Sequence, residues 1–326
     1  LLGLVGSEMC IRDRYKDVAL PKLVNFGSLC IDWVYQVPSL VGSGETLTST
    51  GRTVHAGGKG LNQSFAAARA GAEVLHFGAV GEDGESLVAV LDEVGVRSDG
   101  VARVDTASGH AVIQVDPSGQ NAIVIFPGAN RLIPAQVRKQ ALHALLPGDW
   151  LLLQNETSDV AEMLTQAAAK KVNSAINLAP ADDRIHDYPL ELAQLLIVNE
   201  VEAMALAKSS DLNEAWIVLR ERFTSTDLVL TLGHQGLWCA RAETKDVIML
   251  NAHSVSAVDE TAAGDSFIGY LMAAMLAGQP LPVALEAASA AGALAVTRSG
   301  ASTSIPTRDQ VETLLAKEQL NWRTMT

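Results

Sequence analysis

Short apolar runs and Ala-rich amphipathic segments alternate along most of this chain. Residues 23–30 form an apolar strand run bounded by Pro21 and Gly27-Ser28. Residues 33–37 and 46–55 alternate apolar and polar positions and are rich in Thr, Val and aromatics, the period of a half-buried strand. Residues 61–69 are Ala-rich and helical, closed by Gly71, and 74–80 read as a buried strand. A helix over 85–94 ends at Gly95, and 111–115 with 122–126 flank Asp116-Pro117-Ser118-Gly119-Gln120 as a hairpin. Beyond Pro134 the pattern becomes helix 135–145, strand 150–154, helix 160–171, strands 174–178 and 195–198, helices 201–207 and 212–223, and strand 228–232. A turn at Gly233-His234-Gln235-Gly236 leads to an antiparallel return strand, and two Ala-rich helices, 264–277 and 283–296, close the core. Such alternation predicts an α/β fold with a parallel sheet and helices on both faces. The β-rich patches near 33–56 and 101–126 are too short to fold alone. Together they predict one small sheet projecting as a lid.

The chain has 326 residues, 48% hydrophobic and 19% charged, enough for one large domain with a sizeable core. Its formal net charge is −13, with no basic run, so nucleic acid and anionic membrane surfaces are excluded as expected partners. No stretch is long and apolar enough for a membrane span. Cys10, Cys30 and Cys239 have no disulfide or zinc spacing, which fits a reduced, cytoplasmic protein. Residues 1–21 show no helix or strand period and read as a non-native or disordered leader, leaving 22–326 as the domain.

In Val258-Asp259-Glu260-Thr261-Ala262-Ala263-Gly264-Asp265 a turn of small residues enters the apolar run 267–276. Free N–H groups at such a helix start bind anions, phosphate above all. Asp265, in the first turn, would lie beside that anion, and an anion cradle with an adjacent base is what phosphoryl transfer to a hydroxyl requires. A plain N-terminal cap suits the same residues. Gly57-Gly58-Lys59-Gly60-Leu61-Asn62 allows close approach of a substrate to the backbone, with Asn62 about one turn into the next helix. A tight turn carrying a solvated Lys59 is the alternative. The chain lacks both the P-loop and the dinucleotide-binding glycine patterns, so the 262–265 turn is the natural holder of any ATP phosphates.

Further motifs are ordered around these two: Gly27-Ser28-x-x-x-Asp32, Asn199-x-x-Glu202 and Thr231-x-Gly233-x-x-Gly236. On this set, from Lys22 to Pro306, the chain resembles the ribokinase-like (PfkB) carbohydrate kinase family. The resemblance implies a three-layer α/β/α sandwich with a small β-sheet lid, and ATP-dependent phosphorylation of the primary hydroxyl of D-ribose. Fructose or a nucleoside are the alternative acceptors, and a sugar- or nucleotide-binding homologue without turnover is the alternative of another class. It further implies Asp265 as general base, the amides of Ala262, Ala263 and Gly264 as an anion hole, and Asp32, Gly58, Lys59, Asn62 and Glu156 as sugar contacts. Asn199 and Glu202 would organise Mg²⁺ through water, and Thr231, Gly233 and Gly236 would line the nucleotide cleft. K⁺ would sit at Asp259, Thr261, Ala295, Arg298, Gly300 and Ser304, mostly on backbone oxygens. A homodimer joined through the lids is the implied assembly.

Two positions depart from the family pattern. Cys30 stands where Asn is usual as a sugar-hydroxyl ligand, and thiols are weak hydrogen-bond partners. Glu260 replaces Thr or a similar residue and adds negative charge near the implied cation site. Trp33 and Tyr35 are read as packing the lid sheet rather than stacking on a base. His55, His110 and His253 have no metal spacing, and Trp150 and Trp216 read as core or helix-face residues.

Overall fold

The computed structural model describes residues 21–318 and 322–325; apart from Pro21, the expected leader lies outside them. The main sheet is built from β1 (Leu23–Phe26), β4 (Val74–Val80), β5 (Arg97–Arg103), β8 (Trp150–Gln154), β9 (Asn173–Asn177), β10 (Leu195–Asn199), β11 (Asp227–Thr231), β12 (Leu237–Ala240), β13 (Val247–Leu250) and β14 (Trp322–Met325). Its order is β14-β13-β12-β11-β10-β9-β8-β1-β4-β5. The strands from β5 to β11 run parallel, and β12 to β14 return antiparallel.

Central strands such as Leu-Leu-Ile-Val at 195–198 are apolar throughout because both of their faces are covered. The pleat sends alternate residues to opposite cores. Leu151, Leu153, Leu196, Val198, Leu228 and Leu230 meet α3 (Ala135–Ala144), α4 (Val160–Ala169), α5 (Glu200–Ala207) and α6 (Leu212–Arg222). Leu152, Leu195, Ile197 and Val229 meet α1 (Lys59–Arg69), α2 (Glu85–Glu93), α7 (Ala263–Leu276) and α8 (Leu281–Ala295). A last helix, α9 (Arg308–Lys317), seals a third cluster around Phe65, Tyr270 and Ile305. Helices α1 and α7 pack tightly because Gly269 lacks a side chain; a Cβ there would lie 2.4 Å from Ala66 Cβ.

The lid is a separate sheet of β2 (Cys30–Gln36), β3 (Gly51–Gly57), β6 (Gly109–Val115) and β7 (Asn121–Phe126), in the order β3-β2-β6-β7. It is mixed: β2 pairs antiparallel with β3 but parallel with β6. Trp33 stacks on His110, and His110 on Phe126, so Trp33 packs the lid itself.

Several boundaries differ from the sequence expectation. The run 23–30 is two strands, because Gly27-Ser28 turns the chain from the main sheet into the lid. Residues 46–50 are not strand, and β3 begins at Gly51. Residues 101–103 belong to β5 in the main sheet rather than to the lid. Strand β5 was not expected as such because Arg-Ser-Asp-Gly-Val-Ala-Arg is an edge strand paired only to β4, with polar positions and no alternation.

Candidate active site

Strands β1, β8, β9, β10 and β11 all end at one edge of the main sheet. Ser28, Glu156, Asn177, Asn199 and Thr231 stand at or just past those ends. Ligands of open α/β sheets bind in the crevice outside the carboxyl ends. Helices α1 and α7 both begin at this edge, and their first turns are tied together there. Asn62 Nδ2 donates to Asp265 Oδ2 at 3.0 Å, and Gln63 Nε2 donates to Asp265 Oδ1 at 2.9 Å. Asn62 Oδ1 is buried without a protein partner, an acceptor that a substrate hydroxyl can satisfy.

Helix α7 starts from a left-handed Ala262, φ 60°. The Ala263 amide turns back to the Glu260 carbonyl at 3.3 Å. The amides of Ala262, Gly264 and Asp265 donate to no acceptor among the described residues, and a Cβ on Gly264 would meet nothing within 4 Å. These N–H groups therefore face open space at the positive end of a fourteen-residue helix. Asp265 is 8% exposed, close enough to the opening to reach a ligand.

The opposite wall is knitted by Glu156. Its Oε2 accepts from Ser28 Oγ and, at 3.0 Å, from the Lys59 amide, joining the loop after β1 to the start of α1. Ser28 Oγ in turn accepts from the Gly60 amide at 3.0 Å. Glycine is required here by close approach: a Cβ at Gly60 would lie 2.3 Å from Ser28 N, and Gly58 combines φ 92° with a 2.9 Å approach to Cys30 N. A Cβ at Gly57 would lie 2.0 Å from Asp32 Oδ2, so the bare β3 backbone leaves room for the Asp32 carboxylate.

Charge is crowded at this wall. Burial, then Glu156, then Asp265 push the Asp32 carboxyl up to about 7. Burial would lower the Lys59 ammonium, but the charges of Asp265, Glu156 and Glu202 outweigh it and raise it. Burial, then Glu156 and Asp32, push the Cys30 thiol well up, so it is neutral; its Sγ accepts only a long 3.4 Å contact from Asn130 Nδ2. The structure thus gathers Asp32, Lys59, Asn62, Glu156, Glu202 and Asp265 around one cleft.

At the far end, Asn199 and Glu202 form a capping box on α5. Asn199 Oδ1 accepts from the Glu202 amide, and both Glu202 oxygens accept from Asn199, all at 2.9 Å. The motif is a helix cap and also puts a buried carboxylate, raised chiefly by burial, within electrostatic reach of Lys59 and Asp265. Thr231 pairs with Asn199 in register, and the turn beyond it needs glycine at Gly236, where a Cβ would lie 2.0 Å from Leu250 O. Asp259 accepts from Thr261 and from the Gly300 amide at 2.9 Å, drawing the 259–261 and 298–304 loops together. Ala295 O accepts from the Arg298 amide, and Ser304 Oγ turns to Ala301 O. Among the described residues, no three His, Cys, Asp or Glu side chains are arranged to hold a metal ion.

Sequence reasoning missed Gln63, Asn130 and Gln154 as site-building residues, and marked Ser28 only as part of the Gly27-Ser28 motif without a role. Their signal was polarity inside apolar context: Gln154 ends Trp-Leu-Leu-Leu-Gln, and Gln63 lies fully buried in α1.

Comparison with known proteins agrees with this geometry. Residues 20–308 match the model of the pfkB family carbohydrate kinase. The chain is 34% identical over 297 residues to a ribokinase of Haemophilus influenzae, covering 88% of this chain and 96% of that one. A ribokinase of Schizosaccharomyces pombe is 33% identical over 309 residues, with 89% and 96% covered. Among solved structures, an Arabidopsis thaliana ribokinase complexed with ribose and ATP superposes with a TM-score of 0.82 at 27% identity, covering 91% of this chain and 99% of that one. A Cryptococcus neoformans ribokinase in complex with ADP superposes with a TM-score of 0.79 at 33% identity, covering 90% and 100%. With a matched family model across most of its length and a cleft built from that family's ordered motifs, the chain belongs to the pfkB family of carbohydrate kinases.

Proposed function

We propose that this enzyme transfers the γ-phosphoryl group of ATP to the primary hydroxyl of D-ribose, giving D-ribose 5-phosphate and ADP. The observation that carries the reading is the start of α7, where unpaired amides and the Asp265 carboxylate share one opening. Asp265 takes the hydroxyl proton as the new O–P bond forms and the bond from Pγ to the β,γ-bridging oxygen breaks. The amides of Ala262, Gly264 and Asp265, with that of Ala263 released from Glu260, receive the charge on the transferred group. Asp32, Gly58, Lys59, Asn62 and Glu156 hold the sugar; Thr231, Gly233 and Gly236 border the nucleotide.

Each Glu202 oxygen accepts one bond from Asn199 and keeps a further acceptor site, through which the carboxylate would hold Mg²⁺ by way of its water shell. Magnesium on the phosphates supplies positive charge against that of the transferring group. The loops joined by Asp259 suit K⁺ through backbone oxygens of Thr261, Ala295, Arg298, Gly300 and Ser304.

A homodimer through the lids is supported by β7, an edge strand whose six residues are all exposed, including Ile123, Val124, Ile125 and Phe126. A cytoplasmic setting is supported by buried free thiols at Cys30 and Cys239. No helix of the described residues is long and apolar enough to cross a membrane.

The neutral, weakly bonded Cys30 favours a second reading, in which the acceptor is fructose or a nucleoside. ADP release measured with ribose, deoxyribose, fructose and adenosine, with and without K⁺, separates the two. Asp265→Asn lowers kcat at least about a hundredfold if Asp265 is the base. Turnover of none of these acceptors by the native enzyme refutes the kinase reading.

A further inference from the structure

Beneath Asp265 lies a chain of buried, uncharged polar side chains that the reaction above does not use. Gln63 Nε2, which donates to Asp265 Oδ1, also donates to Asn177 Oδ1 at 3.3 Å. Gln154 Nε2 donates to Gln63 Oε1 at 2.8 Å and to Asn25 Oδ1 at 3.0 Å. Asn25 Nδ2 donates to Ser64 Oγ at 2.7 Å and to Gly60 O at 2.8 Å. Ser64 Oγ lies 2.8 Å from His76 Nδ1, and His76 Nε2 lies 3.3 Å from Gly27 O. Asn25, Gln63, Ser64, His76 and Gln154 are all fully buried.

The chain can be polarised in only one way. Gly27 O can only accept, so His76 Nε2 carries the hydrogen. Burial holds His76 down at about 4, so the ring is neutral and Nδ1 accepts the Ser64 hydroxyl. Ser64 Oγ then accepts from Asn25, whose Oδ1 accepts from Gln154, whose second N–H meets Gln63 Oε1. Gln63 is left with its amide nitrogen toward Asp265. Each member fixes the amide orientation of the next, across three strands and α1.

We propose that Gln63, with its amide direction set by Gln154, Asn25, Ser64 and His76, is a positioning residue for the base. Its N–H on Asp265 Oδ1, with that of Asn62 on Oδ2, fixes the orientation in which the carboxylate meets the incoming hydroxyl. The inference rests on Asp265 being the base. Gln154 is hydrogen-bonded to Gln63 and Asn25 and not to Asp265, which makes it the discriminating site.

The test compares native enzyme, Gln63→Met, Gln154→Glu, the double variant and Asp265→Asn by steady-state kinetics and thermal unfolding. Gln63→Met keeps the bulk and removes the donor. Gln154→Glu cannot supply both of the N–H groups that Gln154 gives to Gln63 Oε1 and Asn25 Oδ1, so the amide of Gln63 is no longer held in one orientation. Each lowers kcat on the order of tenfold to a hundredfold in folded protein, with KM for ribose and ATP within about twofold. The double variant is no slower than Gln63→Met, because both changes act through one contact. A folded Gln63→Met with kcat within about twofold of native overturns the proposal. A fall in kcat matched by an equal rise in KM overturns it too, because that pattern marks a merely structural role. If Gln154→Glu does not fold, Gln63→Met decides by the same criteria. Turnover that survives Asp265→Asn instead removes the base assignment, and this inference with it.

Discussion

Asp32 is the residue at which recognition and stability are expected to oppose each other most clearly. Its carboxyl rises from 3.8 to about 7, chiefly through burial and then through Glu156 and Asp265. An acid raised in the folded state binds its proton more tightly there than in the unfolded chain. Stability from this group is therefore full below about pH 3.8 and is lost as pH rises through about 7. A shift of roughly three units corresponds to at most about 4 kcal/mol above pH 7. Asp32→Asn keeps the shape and removes the ionisation. In the absence of sugar and nucleotide, the variant is expected to be more stable than the native protein at pH 8. At pH 5, where folded Asp32 is still protonated, the gain is smaller by roughly 2–3 kcal/mol. Urea unfolding followed by tryptophan fluorescence at the two pH values measures the difference, and the comparison cancels groups common to both proteins. A gain that does not grow between pH 5 and pH 8 refutes the reasoning. The same variant is expected to raise KM for ribose, because stability gained by removing a strained binding group is lost as recognition.

Three other perturbations probe separate parts of the site. Cys30→Asn supplies a donor and acceptor where the thiol has only the 3.4 Å contact from Asn130, and lowers KM for ribose by about two- to tenfold in steady-state assays; an unchanged KM removes Cys30 from the sugar pocket. Gly60→Ala drives a Cβ to 2.3 Å from Ser28 N, parts the two loops bridged by Glu156, and lowers both the melting temperature and kcat/KM; native values for both would show that the loops adjust freely. Val124→Lys places charge on a residue 70% exposed on the edge strand β7 and is expected to turn the proposed dimer into monomers in sedimentation velocity; an unchanged sedimentation coefficient refutes assembly through this strand.

The parallel sheet was legible because its strands are buried on both faces and its helices have closing glycines. Leu-Leu-Ile-Val at 195–198 and the Ala-rich 61–69 leave little room for another assignment. The lid was legible as two β-rich patches, but its boundaries were not, since the break at Gly27-Ser28 depends on where the chain leaves one sheet for another. Strand β14 pairs with β13 across more than seventy residues of sequence, and no local pattern can express that pairing. At the site, glycine spacing and isolated carboxylates marked the residues facing the cleft. The layer beneath stayed hidden because Asn25, Gln63 and Gln154 carry no charge. Each has meaning only through partners from other strands.

The double character of Asn199-x-x-Glu202 shows why single residues resisted assignment. As a capping box it satisfies the first amides of α5, a purely structural task. The same bonds fix a buried carboxylate toward a cleft that also holds Asp32, Glu156 and Asp265 against Lys59 alone. Such a cleft has more anionic than cationic groups before any nucleotide phosphate enters. A neutral sugar is accommodated by that imbalance, since carboxylates accept its hydroxyls. A polyphosphate is not, unless positive potential comes from elsewhere. The unpaired amides of α7 provide part of it, and they are backbone groups that no side-chain motif encodes directly. The proposed Mg²⁺ and K⁺, bound with the nucleotide, would supply the remainder at the phosphate end of the cleft.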